Sequence, residues 1–198
     1  MTEKMPKDIR MKQIIQAAIA EFHENGYAKA TMDKIAARAG LTKGAVYYHF
    51  KNKDDILVGI NQDFEESIAQ IMADSQGRPN PSAGLRHYIR GYLNYWMTHP
   101  LEIEIFLISV SRAVENPELW PAIKSFYARE AEFFEATYQA GVEKGEFSAQ
   151  DFKSLAIALI SALEGAIAYL TAGGNVSLDR LISMLEHVFI RSVSLELK

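Results

Sequence analysis

Apolar residues recur at helical spacing along almost the whole chain. Ile15, Ala18, Ile19 and Phe22 follow the i, i+3, i+4, i+7 rule, and so do Met32, Ile35, Ala36 and Ala39. No stretch sustains the period-2 alternation of a half-buried strand, so the pattern predicts an all-α fold. Glycine and proline punctuate it. Asn25-Gly26 and Gly40 end the first two helices, and Gly77-Arg78-Pro79-Asn80-Pro81 is a loop. His99-Pro100, Asn116-Pro117 and Gly173-Gly174 mark further breaks. Nine helices are predicted, over residues 6–24, 32–39, 43–49, 54–75, 82–98, 101–114, 118–143, 149–172 and 178–196. The first three make a small head, residues 1–53. The rest make a body, residues 54–198, with the long fourth helix as the link.

Composition narrows the function classes. The 198 residues are 48% hydrophobic, enough for a sizeable core. There is no cysteine, which removes disulfides, thiolate metal sites and cysteine nucleophiles. The five histidines are His23, His49, His87, His99 and His187, and none falls in a zincin or di-iron spacing. No phosphate-binding P-loop and no G-x-S-x-G elbow occurs, so no enzyme, cofactor or metal is expected. No apolar run approaches the roughly 18 residues of a membrane span. The polar first ten residues lack the apolar core of a secretory signal. A cytoplasmic protein is expected.

Charge adds a direction. The net charge is −4, but residues 1–58 hold ten basic and seven acidic side chains against 11 and 18 in the remainder. A basic head on an acidic body is the asymmetry expected when one end meets phosphate.

The head carries the chemistry. Thr31 is placed to cap the second helix, Gly40 to reverse the chain, and Thr42 to cap a third helix only about two turns long. Two short helices about a glycine turn form a helix-turn-helix pattern. In the third helix Val46 and Phe50 share the buried face. Lys43, Gly44, Tyr47, Tyr48 and His49 share the other, with Lys51 and Lys53 just beyond. Two tyrosines on the surface of a short helix require something to meet them. Their hydroxyls suit phosphate oxygens, their rings suit sugars and thymine methyls, and Gly44 and Ala45 allow a close backbone approach.

Residues 31–57, Thr-Met-Asp-Lys-Ile-Ala-Ala-Arg-Ala-Gly-Leu-Thr-Lys-Gly-Ala-Val-Tyr-Tyr-His-Phe-Lys-Asn-Lys-Asp-Asp-Ile-Leu, resemble the signature of the TetR family of transcriptional regulators. The Tyr-Tyr-His-Phe-Lys-Asn-Lys portion is the most specific. The likeness extends over about residues 9–57. Beyond that it is one of length and helical architecture. Leu41-Thr42 stands where Val-Ser is more usual. The resemblance implies that Thr31 and Tyr48 contact phosphate and that Lys53 anchors it. Lys43, Gly44, Ala45, Tyr47 and His49, capped by Thr42, would face the major groove, with Lys43 the first choice for reading guanine.

For the body the resemblance implies a homodimer and a small-molecule pocket. Leu155, Leu159, Leu163, Ala166 and Leu170 on the eighth helix, with Leu181, Leu185, Val188 and Phe189 on the ninth, form apolar faces expected to pair across a two-fold axis. Pocket candidates are Tyr92, Trp96, Phe106, Ser109, Arg112, Trp120, Tyr127 and Glu164. Arg112 is placed to pair with Glu164 or hold an anion. The functional expectation is a repressor that binds palindromic double-stranded DNA and is released by a hydrophobic or aromatic effector. The alternative, a helical adaptor, leaves the aromatics and lysines around Tyr47 unexplained.

Overall fold

A computed structural model describes residues 7–115 and 121–195. Among the described residues the chain is helical throughout, in the order α1 Lys7–Asn25, α2 Met32–Arg38, α3 Lys43–His49, α4 Lys53–Gln76, α5 Pro81–Thr98, α6 Pro100–Glu115, α7 Pro121–Glu143, α8 Phe152–Thr171 and α9 Leu178–Phe189. The expected helices are all present. The end of the last one differs: α9 stops at Phe189 and a 3-10 turn follows over Arg191–Val193. The chain then runs antiparallel to the α7–α8 connection, where Ser148 N–H donates to Val193 O at 2.9 Å and Leu195 N–H to Glu146 O at 2.9 Å. Buried Ile190 and Val193 anchor this return, and it ends the helix earlier than periodicity alone predicts.

Packing groups the described residues into two compact units. The first holds residues up to Phe64 together with those from Leu101 to Glu115. The second holds Glu65 to Pro100 and the residues from Ile123 onward.

In the first unit Ile14, Ile15, Ala18 and Phe22 of α1 are buried with Ile35, Val46, Phe50, Ile56 and Leu57. Local chemistry sets the ends of α2 and α3. Thr31 Oγ1 accepts from Lys34 N–H and Thr42 Oγ1 from Ala45 N–H, each at 3.2 Å, so both hydroxyls satisfy orphan amides. Gly40 sits at φ +65°, the left-handed position of a helix stop. There Leu41 N–H reaches back to Ala36 O at 2.9 Å and Gly40 N–H to Ala37 O at 3.1 Å. Gln13 Nε2 donates to Ala39 O at 2.7 Å, and Arg38 bonds Glu24 while lying 3.4 Å from buried Glu21, so α1 holds the end of α2. A Cβ on Gly59 would lie 3.1 Å from the Phe50 ring, so glycine there lets α4 close on the head.

The second unit buries an aromatic core of Tyr88, Tyr92, Trp96, Phe133, Phe134, Tyr138 and Phe147. Tyr138 donates its hydroxyl to Phe189 O at 2.9 Å. One expectation fails in this unit. α8 is long and apolar enough to cross a membrane by length and composition. Only Lys153 and Glu164 are charged along it. Its Ala156, Leu159, Leu163, Ala166 and Ile167 point into the unit's own core.

Candidate functional site

α3 offers its outer face to solvent. Val46 is fully buried, while Thr42, Lys43, Gly44, Tyr47 and Tyr48 are exposed and Ala45 and His49 are half-buried. Tyr48 is 79% exposed, far beyond what a core aromatic retains. Its ring packs edge-on to His49 at 5.0 Å. Lys43 Nζ lies 2.9 Å from Asp33 and 5.8 Å from the Tyr47 ring, an exposed arrangement that a stronger anion can displace. Thr31 is exposed at the start of α2. The structure therefore presents Thr31, Lys43, Gly44, Tyr47 and Tyr48 to solvent on the first unit.

Lys53 is differently placed. Its ammonium donates to Tyr27 O at 2.7 Å and stands 4.5 Å over the Tyr27 ring. Partial burial pulls its pKa below the ordinary lysine value, with Asp54 opposing and Arg112 adding to the effect. Two further N–H groups stay available to an anion. Beside it Tyr27 donates its hydroxyl to Asp54 at 2.6 Å, and Arg112 of α6 bonds both Asp54 oxygens at 3.1 Å. Burial alone would raise the Asp54 carboxyl. The hydrogen bonds from Arg112 and Tyr27 outweigh it and hold the group below its usual range.

The pocket candidates separate. An open cavity of about 500 Å³ in the second unit is lined by Tyr127, Ala131, Ile157, Ile160, Ser161 and Glu164. Tyr92, buried, donates to Glu164 at 2.6 Å, and Trp96 is buried in the same unit. Phe106, Ser109 and Arg112 belong to the first unit. There Phe106 meets Phe64 edge-on at 5.7 Å, and Ser109 Oγ accepts from Asn61 at 2.7 Å and donates to Ile105 O. Arg112 bonds Asp54 and Glu115, and the Glu164 carboxyl accepts from Tyr92. Trp120 lies outside the described residues.

Residues 14–60 match the family model of bacterial regulatory proteins, tetR family. These residues place the head of the chain in the TetR family. Among its relatives, the fatty acid metabolism regulator protein of Bacillus subtilis is 42% identical over 72 residues, covering 36% of this chain and 34% of that protein. The transcriptional repressor BepR of Brucella suis is 26% identical over 174 residues, covering 85% of this chain and 83% of the relative. The solved structure of the regulator FadR from Bacillus subtilis with stearoyl-CoA has the same fold, with a TM-score of 0.79 at 20% identity, over 92% of this chain and 98% of that one.

The apolar residues expected at a partner face divide. Leu159, Leu163, Ala166, Leu185 and Phe189 are buried within the chain's own core. Leu155, Leu170 and Leu181 are half-buried, and Val188 is exposed. The large apolar side chains that α8 and α9 do expose are Ile157, Tyr169, Met184 and Val188. An amphipathic helix has one strong apolar stripe, and here that stripe faces inward.

Two sets of residues escaped the sequence reading. Tyr27 and Asp54 carried no periodic or motif signal that joined them to Arg112. Glu130 did carry one: it continues the apolar phase Ile123, Phe126, Tyr127, Phe133, Phe134 on α7, which marks a carboxyl headed for the core.

Proposed function

We propose that this protein is a ligand-responsive transcriptional repressor, with residues 1–53 as its DNA-binding head and residues 54–198 as its effector and dimerisation body. The observation that carries the reading is the exposed face of α3, where Tyr48, Tyr47 and Lys43 surround a bare backbone at Gly44. A surface with two bared tyrosines and a displaceable lysine suits a groove lined by phosphate and base edges. Lys43 leaves Asp33 to read guanine. Ala45, Tyr47 and His49 line the groove wall, while Thr31, Thr42, Tyr48 and Lys53 grip phosphate and set register.

One such head gives a small footprint, so two copies act together. The exposed Ile157, Tyr169, Met184 and Val188 support a homodimer through α8 and α9. Its heads meet successive major grooves of a palindromic operator, roughly 34–36 Å apart or somewhat more. A hydrophobic or aromatic effector in the body biases α4, and the heads lose the operator spacing. The protein acts in the cytoplasm, where its DNA is.

Selection of bound fragments from a random duplex pool tests the reading. The expected product is a palindromic consensus whose affinity falls as salt rises. Absence of any enriched duplex removes the proposal.

A further inference from the structure

Four glutamates deserve comparison. Glu21 and Glu186 are buried, and each has an arginine: Arg38 at 3.4 Å and Arg90 at 2.7 Å. Glu130 and Glu164 have none among the described residues. Glu130 is 1% exposed, and Tyr88 donates to its Oε1, while its Oε2 has no hydrogen-bond partner. The neighbouring Arg129 is turned to Glu65 at 2.8 Å and to Ser125. Glu164, at the wall of the cavity, has only the Tyr92 hydroxyl. Tyr88 and Tyr92 stack at 5.6 Å, so the two carboxyls hang from one pair of rings.

Burying a carboxyl without a cation is costly, because desolvation disfavours the charged form. Burial pushes Glu130 up to about 8, with the Tyr88 hydrogen bond opposing, the Glu164 charge adding to the rise and Arg129 opposing it. Glu164 rises as well, from burial opposed by its bond to Tyr92. An anionic ligand placed here finds no cation among the lining residues, where the polar groups are the Glu164 carboxyl and the Tyr127 and Ser161 hydroxyls. A cation meets the Glu164 carboxyl and the Tyr127 ring in a cavity otherwise walled by Ala131, Ile157, Ile160 and Ser161, and it favours the charged form of Glu164 that burial opposes.

We infer that the α7–α8 cavity takes an organic cation with an apolar or aromatic body, and that Glu164, backed by Glu130 across the stacked Tyr88 and Tyr92, supplies the charge that this chain itself leaves uncompensated. The inference rests on the reading of the body as an effector domain and names the effector's chemical class.

Tetraphenylphosphonium and tetraphenylborate have nearly the same shape and opposite charge, and phenyltrimethylammonium is a smaller cation. Calorimetric titration of the full chain with each, without DNA, tests the inference. The expected result is that at least one cation binds and that the borate binds about tenfold or more weaker than tetraphenylphosphonium. Glu164→Gln and Glu130→Gln, which keep side-chain shape, should narrow that ratio by about tenfold for the first and less for the second. The charge ratio of the unsubstituted protein needs no variant and stands if one fails to fold. Equal or tighter binding of the borate, no binding of either cation, or a ratio unmoved by both substitutions overturns the inference. A protein that binds the cation selectively but binds no duplex leaves this site standing and removes the repressor reading instead.

Discussion

Arg112 grips Asp54 through two hydrogen bonds of 3.1 Å, Nε to Oδ1 and Nη2 to Oδ2. The pair joins the middle of the chain to the first turn of α4, one residue after Lys53. Tyr27 completes it from the α1–α2 connection by donating to the same carboxylate at 2.6 Å. Three segments distant in sequence therefore meet on one acid beside the proposed phosphate anchor.

The three groups should act as a unit. Asp54→Asn is expected to cost about 1–2 kcal/mol, a modest figure because the pair is partly exposed to solvent. Tyr27→Phe and Arg112→Gln should lose less together with Asp54→Asn than the sum of their separate losses. Urea unfolding of the singles and doubles measures this, and strict additivity would count against a shared network. Because the Asp54 pKa is held down in the folded protein, its stabilisation is present above the unfolded carboxylate range and fades as pH falls through the lower, folded value.

On DNA, position and sequence should separate. Tyr48→Ala and Lys53→Ala are expected to weaken binding to all duplexes alike, and Lys53→Ala should lower the salt slope by about one. Lys43→Ala is expected to cost about 1–3 kcal/mol on the selected operator and much less on unrelated duplex. Fluorescence anisotropy over a salt series distinguishes them. Equal losses on every sequence for Lys43→Ala would remove it as a base reader.

Glu130 makes stability fall toward alkaline pH. Its folded pKa of about 8 lies above the ordinary carboxyl value, so the folded state holds a proton that the unfolded chain releases. The stabilisation is full below the unfolded pKa and is lost as pH rises through about 8. Between pH 5 and pH 9 the loss is expected to be roughly 2–4 kcal/mol from this group. Glu130→Gln should flatten that dependence in thermal melts. An unchanged pH profile in the variant would place the dependence elsewhere.

Met184→Glu and Val188→Glu put charge on the exposed apolar face of α9 without touching the core. Each is expected to shift the sedimentation equilibrium toward monomer and to weaken operator binding by about 10²-fold or more through lost avidity, with far-UV helicity retained. A monomer–dimer equilibrium identical to the parent would move the interface to another face.

The head was legible because its signals are local. Thr31 and Thr42 cap the amides three residues on, Gly40 sits at the positive φ that its helix stop demands, and Val46 falls on the buried phase of a seven-residue helix. The body was legible as helices but not as surfaces. Periodicity finds the strongest apolar stripe of α8 and α9, and that stripe proved to be core, while the exposed apolar residues sit on the weaker side.

Local signals were enough for the helical course of the described residues, the exposed tyrosines of α3 and the TetR-family head, since caps, turns and periodic faces involve neighbours within about four residues. The partners of the charges came from packing. Arg112 is paired with Asp54, 58 residues away, and Glu130 meets Tyr88, 42 residues away, while Arg129 beside it bonds Glu65 and Ser125 instead. Long-range pairing depends on how helices pack, which no local spacing encodes, and it is this packing that leaves two carboxyls of the body uncompensated.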